Sequence, residues 1–382
     1  MSTTRSVLIF SGYNERGIIA FCRFCKKANI PFAVVAASSN DKILLSSYSQ
    51  NVIETRFTSK LTLDAFRRYR EYFAKTFSPD ETIVLPSTEF LNHFLLEERN
   101  SLESMGYVIP LCSMSLYQAI SDKYSFYLLC RNRGILTPQE LSISHCKPPC
   151  VVKPKTYFAQ DKKTVNPKTT VISNFEELQK CRRTIDTQNT FIQEFVEGKS
   201  VYLLFYFGKD RTYSIYSQEN FMQQYNGRSI IAAEAAQFHE HSEVQKFTDL
   251  FLDMHFTGLV MVETRLKGEK FYMIEANPLI WGPSQLINDA NMDLFHRFAV
   301  DFGLVNEDRS LLFDYQPKTR YFWLGGILED LSSGNMITFH NYDRERFFDE
   351  YALWLQREVY FREDTVNVFL EELKSCHKRK SL

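Results

Sequence analysis

Two apolar stretches that lie close together constrain this chain more than any other feature. Gly258-Leu-Val-Met-Val-Glu263 and Phe271-Tyr-Met-Ile-Glu275-Ala-Asn277 read as neighbouring strands, and the charged Lys267-Gly268-Glu269-Lys270 between them reads as a hairpin turn. Alternate side chains of a strand share a face, so Glu275 and Asn277 project together while Ala276 goes to the other side. Glu263 ends the first strand and brings a third oxygen donor alongside. Such a donor set suits Mg²⁺, with Mn²⁺ as the alternative ion. Mg²⁺ takes few protein oxygens and keeps its remaining positions for water and substrate phosphates.

The rest of the sequence is that of a packed protein of several units. At 382 residues, with 44% hydrophobic and 15% aromatic side chains, two or three cores are expected. Lys and Arg number 45 against 46 Asp and Glu, a net charge of -1. That balance argues against nucleic acid or an anionic membrane as a general partner. The start has no signal-peptide pattern and no apolar run reaches membrane-spanning length, so a soluble, cytoplasmic protein is expected. The eight cysteines do not form a disulfide framework. Cys22 and Cys25 have CxxC spacing but fall in a helical pattern without a second pair, which points to packing and not to zinc or redox chemistry. No Ser-His-Asp, Cys-His or HExxH arrangement is present.

Residues 6–10, 31–36 and 82–85 read as strands of a doubly wound parallel sheet, with helices over 18–29 and 90–100. Gly12 and Gly17 are too few for a dinucleotide fingerprint and read as turn and packing glycines. Paired helices follow over 113–133 and end at Gly134. A small sheet is expected from strands at 151–153, 170–172 and 190–196, with a helix capped by Ser173 or Asn174 between the last two. The third unit leads into the metal-bearing hairpin, and a helical stretch over 286–302 closes it. The segment 309–382 is aromatic, charged and largely helical, and packing or dimer contact is its default role.

Several pieces of this sequence, in order, resemble the ATP-grasp superfamily. Asp122-Lys123 and Gly134-Ile135-Leu-Thr137-Pro138 are similar to its Asp-Lys helix and the turn after it. Cys150-Val-Val-Lys153-Pro154 is similar to the strand whose lysine reaches the ATP phosphates. Phe191-Ile-Gln-Glu194-Phe195-Val196-Glu197-Gly198 is similar to the linker along adenine, and Glu275-Ala-Asn277-Pro278 to the magnesium strand. The resemblance covers about residues 113–305. It implies a parallel-sheet unit over 1–112, a two-lobed ATP-grasp domain over 113–305 with a lid at about 150–196, and a C-terminal helical extension over 306–382.

The resemblance also implies roles. Lys123 and Lys153 would contact the ATP phosphates, Val151 and Ile274 would sandwich adenine, and Glu194, Phe195 and Val196 would supply its hydrogen-bonding edge. Glu263, Glu275 and Asn277 would hold Mg²⁺. The implied reaction is activation of a carboxylate as an acyl phosphate for attack by an amine, with ADP and phosphate released. Three positions depart from the family pattern. The loop after Lys153 has no glycine, and Lys155, Lys162 and Lys163 are its replacement donors. Leu279 stands where an arginine is common, which makes Arg228 and Arg265 the candidates to steady the transferred phosphoryl. Ser200 stands where a ribose-binding carboxylate is frequent. Two alternatives stay open: a nucleotide-binding regulatory or assembly protein, and an enzyme with a bicarbonate or phosphorylated-sugar acceptor. A homodimer is the default assembly. The segment 157–167 is expected to become ordered on binding Mg-ATP.

Overall fold

The computed structural model describes residues 4–159, 164–306 and 313–379. Strands β1 (Arg5–Phe10), β2 (Phe32–Ala36), β3 (Val52–Thr55), β4 (Glu81–Val84) and β5 (Tyr107–Val108) form a parallel sheet in the order β3-β2-β1-β4-β5. The near-continuous apolar runs of β1 and β2 follow from burial on both faces. Val7, Ile9 and Val34 pack with Ile18 and Phe21 of the helix Glu15–Lys27, while Leu8, Phe10 and Val35 pack with Phe66 and Phe73 of the helix Leu63–Thr76. The strand order reverses between β1 and β4, the place where open parallel sheets form a crevice.

The segment expected to act as a lid forms a second, antiparallel sheet of β6 (Glu140–Leu141), β7 (Cys150–Pro154), β8 (Thr170–Ile172) and β9 (Thr190–Glu194), in the order β6-β9-β7-β8. Between β8 and β9 lies the helix Phe175–Thr184, whose first turn is capped by Asn174, its side chain accepting from the Glu177 N–H at 2.9 Å. The 3-residue β8 leads straight into that cap.

The central sheet holds β10 (Lys199–Phe207), β11 (Tyr213–Gln223), β12 (Ile230–Ala236), β13 (Gly258–Lys267), β14 (Lys270–Asn277), β15 (Arg320–Phe322) and β16 (Thr338–Phe339). Its order is β14-β13-β10-β11-β12-β15, with β16 paired to β11. The period of two divides β10 between two cores. Val201, Leu203, Phe205 and Phe207 meet the helices Met114–Ser121, Lys123–Asn132 and Gln245–Asp253, while Tyr202, Leu204 and Tyr206 join the core beneath the helix Glu15–Lys27. The C-terminal segment carries helices, and through β15 and β16 it also adds to the central sheet. Trp354 is fully buried against Phe322 and Phe221. The helical stretch expected over 286–302 is two short helices, Gln285–Asp289 and Leu294–Asp301, broken by Asn291 with a φ of 54°.

Gly17 fixes how the parallel-sheet unit meets the central sheet. A Cβ there would sit 2.7 Å from the Trp281 carbonyl oxygen, so only glycine lets this helix lie against the chain leaving β14. Asn14 Nδ2 donates to the Ile280 carbonyl at the same contact, at 2.5 Å. Cys22 and Cys25 are unbonded in the same helix and fully buried, and burial pushes both thiols far up. Among the described residues no helix is long and apolar enough to cross a membrane.

Candidate active site

The hairpin of β13 and β14 closes through Gly268, whose φ of 60° is the conformation that the first position of a two-residue turn demands. Pairing runs Leu266 to Phe271 and Thr264 to Met273, but then Glu263 pairs with Glu275, so Ile274 is an extra residue. This bulge decides the chemistry of the face. Phe271 and Met273 belong to the core under the paired helices, and strict alternation would bury Glu275 there as well. The inserted Ile274 reverses the parity, so Ala276 enters that core while Glu275 and Asn277 turn to the side of Glu263.

On that side Asn277 Nδ2 donates to Glu275 Oε1 at 3.1 Å. Lys123, the first residue of its helix, forms an ion pair with Glu275 Oε2. Lys153 is only 3% exposed, and its ammonium donates to the carbonyl of the bulged Ile274 at 2.8 Å, tying the lid to the central sheet. Arg265 Nη2 lies 3.3 Å from Glu263 Oε1. Its Nη1 lies 3.1 Å from His340 Nδ1, and His340 Nε2 lies 2.9 Å from Gln223 Oε1. A neutral ring that accepts at Nδ1 and donates at Nε2 fits these contacts, and burial followed by the charge of Arg265 holds His340 down at about 3. Gln223 in turn donates to the carbonyls of Gly227 and Arg228 at 2.9 and 3.0 Å, which fixes the loop that carries Arg228.

The charges shift one another. Burial pushes Lys153 down to about 8, with Glu275 opposing the shift. Burial would raise Glu275, but Lys123 and Lys153 outweigh it and hold the carboxyl at about 2. Burial raises Glu263 against the pull of Arg265.

A cavity of about 730 Å³ runs from Glu263, Glu275 and Asn277 to the crevice at β1 and β4, where Asn14, Arg16 and Glu89 line it. A second, of about 660 Å³, continues from Lys123, Glu275 and Asn277 under the lid at Pro154, Tyr157 and Lys168. Arg228 and Leu279 line both. Arg228 is ion-paired with the fully buried Asp330 of the helix Leu324–Ser332. Val151 shares a face of β7 with Lys153 by the period of two and is half-buried, as is Ile274.

Other expected residues lie differently. The Glu194 carboxylate accepts from the Gln139 N–H at 3.0 Å and the Glu194 N–H donates to the Gln139 carbonyl at 2.9 Å, so both groups are engaged inside the lid. Phe195 is 36% exposed beyond the end of β9, and Val196 is largely buried. Ser200 is fully buried, its hydroxyl accepting from Asn220 Nδ2 at 3.1 Å, and the structure does not bring it to either cavity. Lys155 lies over the Tyr124 ring at 5.2 Å. Lys162, Lys163 and part of the segment 157–167 fall outside the described residues.

The donor set fits a magnesium ion held chiefly by a nucleotide. Two carboxylates and an amide face one cavity, and Lys123 and Arg265 already neutralise the carboxylates. Among the described residues no group of three or more His, Cys, Asp or Glu forms a closed cage. Mg²⁺ on substrate phosphates does not need one. Sequence reasoning passes over Glu89 and Arg16. Glu89 starts the helix Glu89–Glu97, which follows the four-residue turn after β4, a position the switch-point rule could have marked. Arg16 lies 3.6 Å over the Trp323 ring, a contact between residues too far apart in the chain for any local signal.

Comparison with curated protein sequences finds no match. Among solved structures, N5-carboxyaminoimidazole synthetase from Staphylococcus aureus is similar at a TM-score of 0.60 and 15% identity, over 87% of this chain and 85% of that one. L-amino acid ligase from Bacillus licheniformis is similar at 0.56 and 14%, over 84% and 79%. The biotin carboxylase domain of Hydrogenobacter thermophilus 2-oxoglutarate carboxylase, crystallised with MgADP, ADP and bicarbonate, is similar at 0.57 and 13%, over 84% and 74%. At such identities the likeness is one of fold. The family match is to the ATP-grasp domain, over residues 120–283, and it spans Lys123, Lys153, Glu263, Glu275 and Asn277. Residues 120–283 therefore match an ATP-grasp domain, and they pack against a parallel-sheet unit and a C-terminal segment that extends the central sheet.

Proposed function

We propose that this protein is an ATP- and magnesium-dependent ligase that joins a small carboxylate to an amine. The observation that carries the reading is the bulged hairpin, which turns Glu275 and Asn277 to Glu263 at the floor of a cleft beside the Lys123–Glu275 ion pair, with Lys153 buried against the Ile274 carbonyl of the same hairpin. Lys123 exchanges its Glu275 partner for a phosphate oxygen when nucleotide binds, and Lys153 supplies a second cation from the lid. Val151 and Ile274 flank the adenine. Phe195 and Val196 offer backbone groups to its edge, with Glu194 holding that edge to the lid through Gln139. Glu263, Glu275 and Asn277 would hold Mg²⁺, which would supply charge neutralisation at the transferred phosphoryl.

Catalysis is then positioning and charge neutralisation. Arg228, at the border of the two cavities, is placed to steady the phosphoryl on its way to the acceptor carboxylate. Arg265 is engaged with Glu263 and serves to orient that carboxylate. The resulting acyl phosphate meets an amine entering from the crevice of the parallel sheet, the C–N bond forms, and phosphate leaves. The deep cleft under the lid supports this reading, because an acyl phosphate must be kept from water. We place the protein in the cytoplasm as a homodimer acting on small molecules.

The test incubates the protein with Mg-ATP and pools of amino acids, sugar acids and bicarbonate, and follows ADP. ADP release that requires both a carboxylate and an amine supports the ligase. Release with bicarbonate alone points to a carboxylating acceptor. Saturable Mg-ATP binding without release from any pool identifies a nucleotide-binding protein instead.

A further inference from the structure

A second kind of cavity opens beside the reaction cleft. It has a volume of about 400 Å³ and lies beyond the ends of β1, β3 and β4, walled by Phe10, Leu61, Phe90 and Leu91, with Tyr157 of the lid at its rim. Such a volume is at the lower end of the range for small-molecule sites, about 300–1,000 Å³. Tyr13, Ser87 and Thr88 line both this cavity and the cleft, so the two spaces adjoin.

One charged side chain faces this apolar wall. Arg56 follows β3, where its N–H donates to the Ala36 carbonyl at 2.9 Å, and its guanidinium lies 5.6 Å from the Phe10 ring centroid. Its Nε is buried with no hydrogen-bond partner, and the guanidinium makes no ion pair among the described residues. Glu54, two residues earlier, is engaged by Arg68 and Tyr69 instead. A buried Nε–H left without an acceptor carries a cost, and an anion arriving with a ligand removes it.

We propose that this cavity binds a small carboxylate bearing an aromatic or branched aliphatic side chain, with the carboxylate on Arg56 and the side chain among Phe10, Leu61 and Phe90. A hydrophobic α-amino acid is the member of this class that also carries an amine, and its place beside the cleft makes it the amine substrate. That last step rests on the ligase reading, whereas the binding does not.

The probes are 3-phenylpropionate, its neutral amide 3-phenylpropanamide, and acetate, titrated calorimetrically into the full chain. Saturable binding of 3-phenylpropionate is expected, about tenfold or more tighter than either of the other two. Arg56→Met should bring it down to the affinity of the amide and leave the amide unchanged. Leu61→Trp should fill the cavity and abolish binding of both. Mg-ATP binding should stay within about twofold in both variants, which also reports that they fold. No saturable binding of 3-phenylpropionate to wild type, equal binding of acid and amide, or an Arg56→Met protein that binds Mg-ATP and keeps its full affinity for the acid would each overturn the proposal. Binding of 3-phenylpropionate without ADP release in any substrate pool would overturn the ligase reading and leave this site standing. Amino-acid-dependent ADP release indifferent to Arg56→Met would do the reverse.

Discussion

The wall of the cleft made by β13 and β14 takes its functional groups from one hairpin, whereas the facing wall gathers Asn14 and Arg16, Glu89, Trp323 and Tyr360 from distant parts of the chain. On the hairpin each charge has an opposite charge beside it: Glu275 has Lys123 and Glu263 has Arg265. On the facing wall Arg16 bonds the Ile230 carbonyl at 3.1 Å and stacks on Trp323. The first wall is thus poised to exchange partners when a charged ligand binds. The second is a fixed surface whose shape depends on packing.

The largest expected effect breaks the hairpin wall. Glu275→Gln should lower substrate-dependent ADP release by about 100-fold or more in a folded protein, since a neutral amide replaces the carboxylate that faces the metal. Wild-type turnover in that variant, with an unchanged circular dichroism spectrum, would reduce Glu275 to a partner for Lys123. Next, Arg228→Ala should slow turnover by about tenfold while the Kd for ATP stays within about twofold, the pattern of an interaction made in the transition state. Equal losses in turnover and ATP affinity would move Arg228 to ground-state binding.

Lys153→Met sharpens the contrast by separating function from stability. ATP should bind about tenfold more weakly, because a phosphate contact is lost. Without nucleotide the variant should be more stable than wild type at pH 7 by about 1–2 kcal/mol, since a buried ammonium is removed. Burial lowers Lys153 to about 8. Between there and the ordinary lysine value of about 10.4 the unfolded chain holds more protons, so wild-type stability from this group rises with pH. The advantage of Lys153→Met should therefore be full below about pH 8 and vanish by about pH 10.5. Urea titrations across this range measure it, and a difference independent of pH would show that charge burial is not its cause.

The smallest effect tests the fixed wall. Gly17→Ala places a Cβ 2.7 Å from the Trp281 oxygen and should cost about 1–2 kcal/mol, seen as a shift in the urea midpoint. No shift would mean that the helix Glu15–Lys27 has slack against the chain leaving β14.

Much of the architecture is legible in the amino-acid sequence. The parallel sheet, the paired helices around Lys123, the lid strands and the closing hairpin follow from apolar runs, turn residues and caps, all local in the chain. The C-terminal segment is legible only as aromatic and helical. That β15 and β16 extend the central sheet depends on strands of three and two residues, too short for any period to register. Ser200 shows the same limit at the site. Its position matches a ribose contact, but pairing to β11 sets it opposite Asn220, which takes its hydroxyl.

The sequence alone sets which oxygen donors and cations stand at the ends of which strands, because side-chain chemistry and the order of elements are properties of the chain. The direction those groups face is settled by tertiary packing. The spacing of Glu275 and Asn277 puts them on one face, but which face depends on the bulge at Ile274, and a bulge exists only relative to the partner strand. The separation of charges arises in the same way. Lys123 and Arg265 pair with the carboxylates from a helix and from β13, Lys153 stands beside them on the Ile274 carbonyl, and the opposed shifts of Lys153 and Glu275 arise only once packing has removed the water between them.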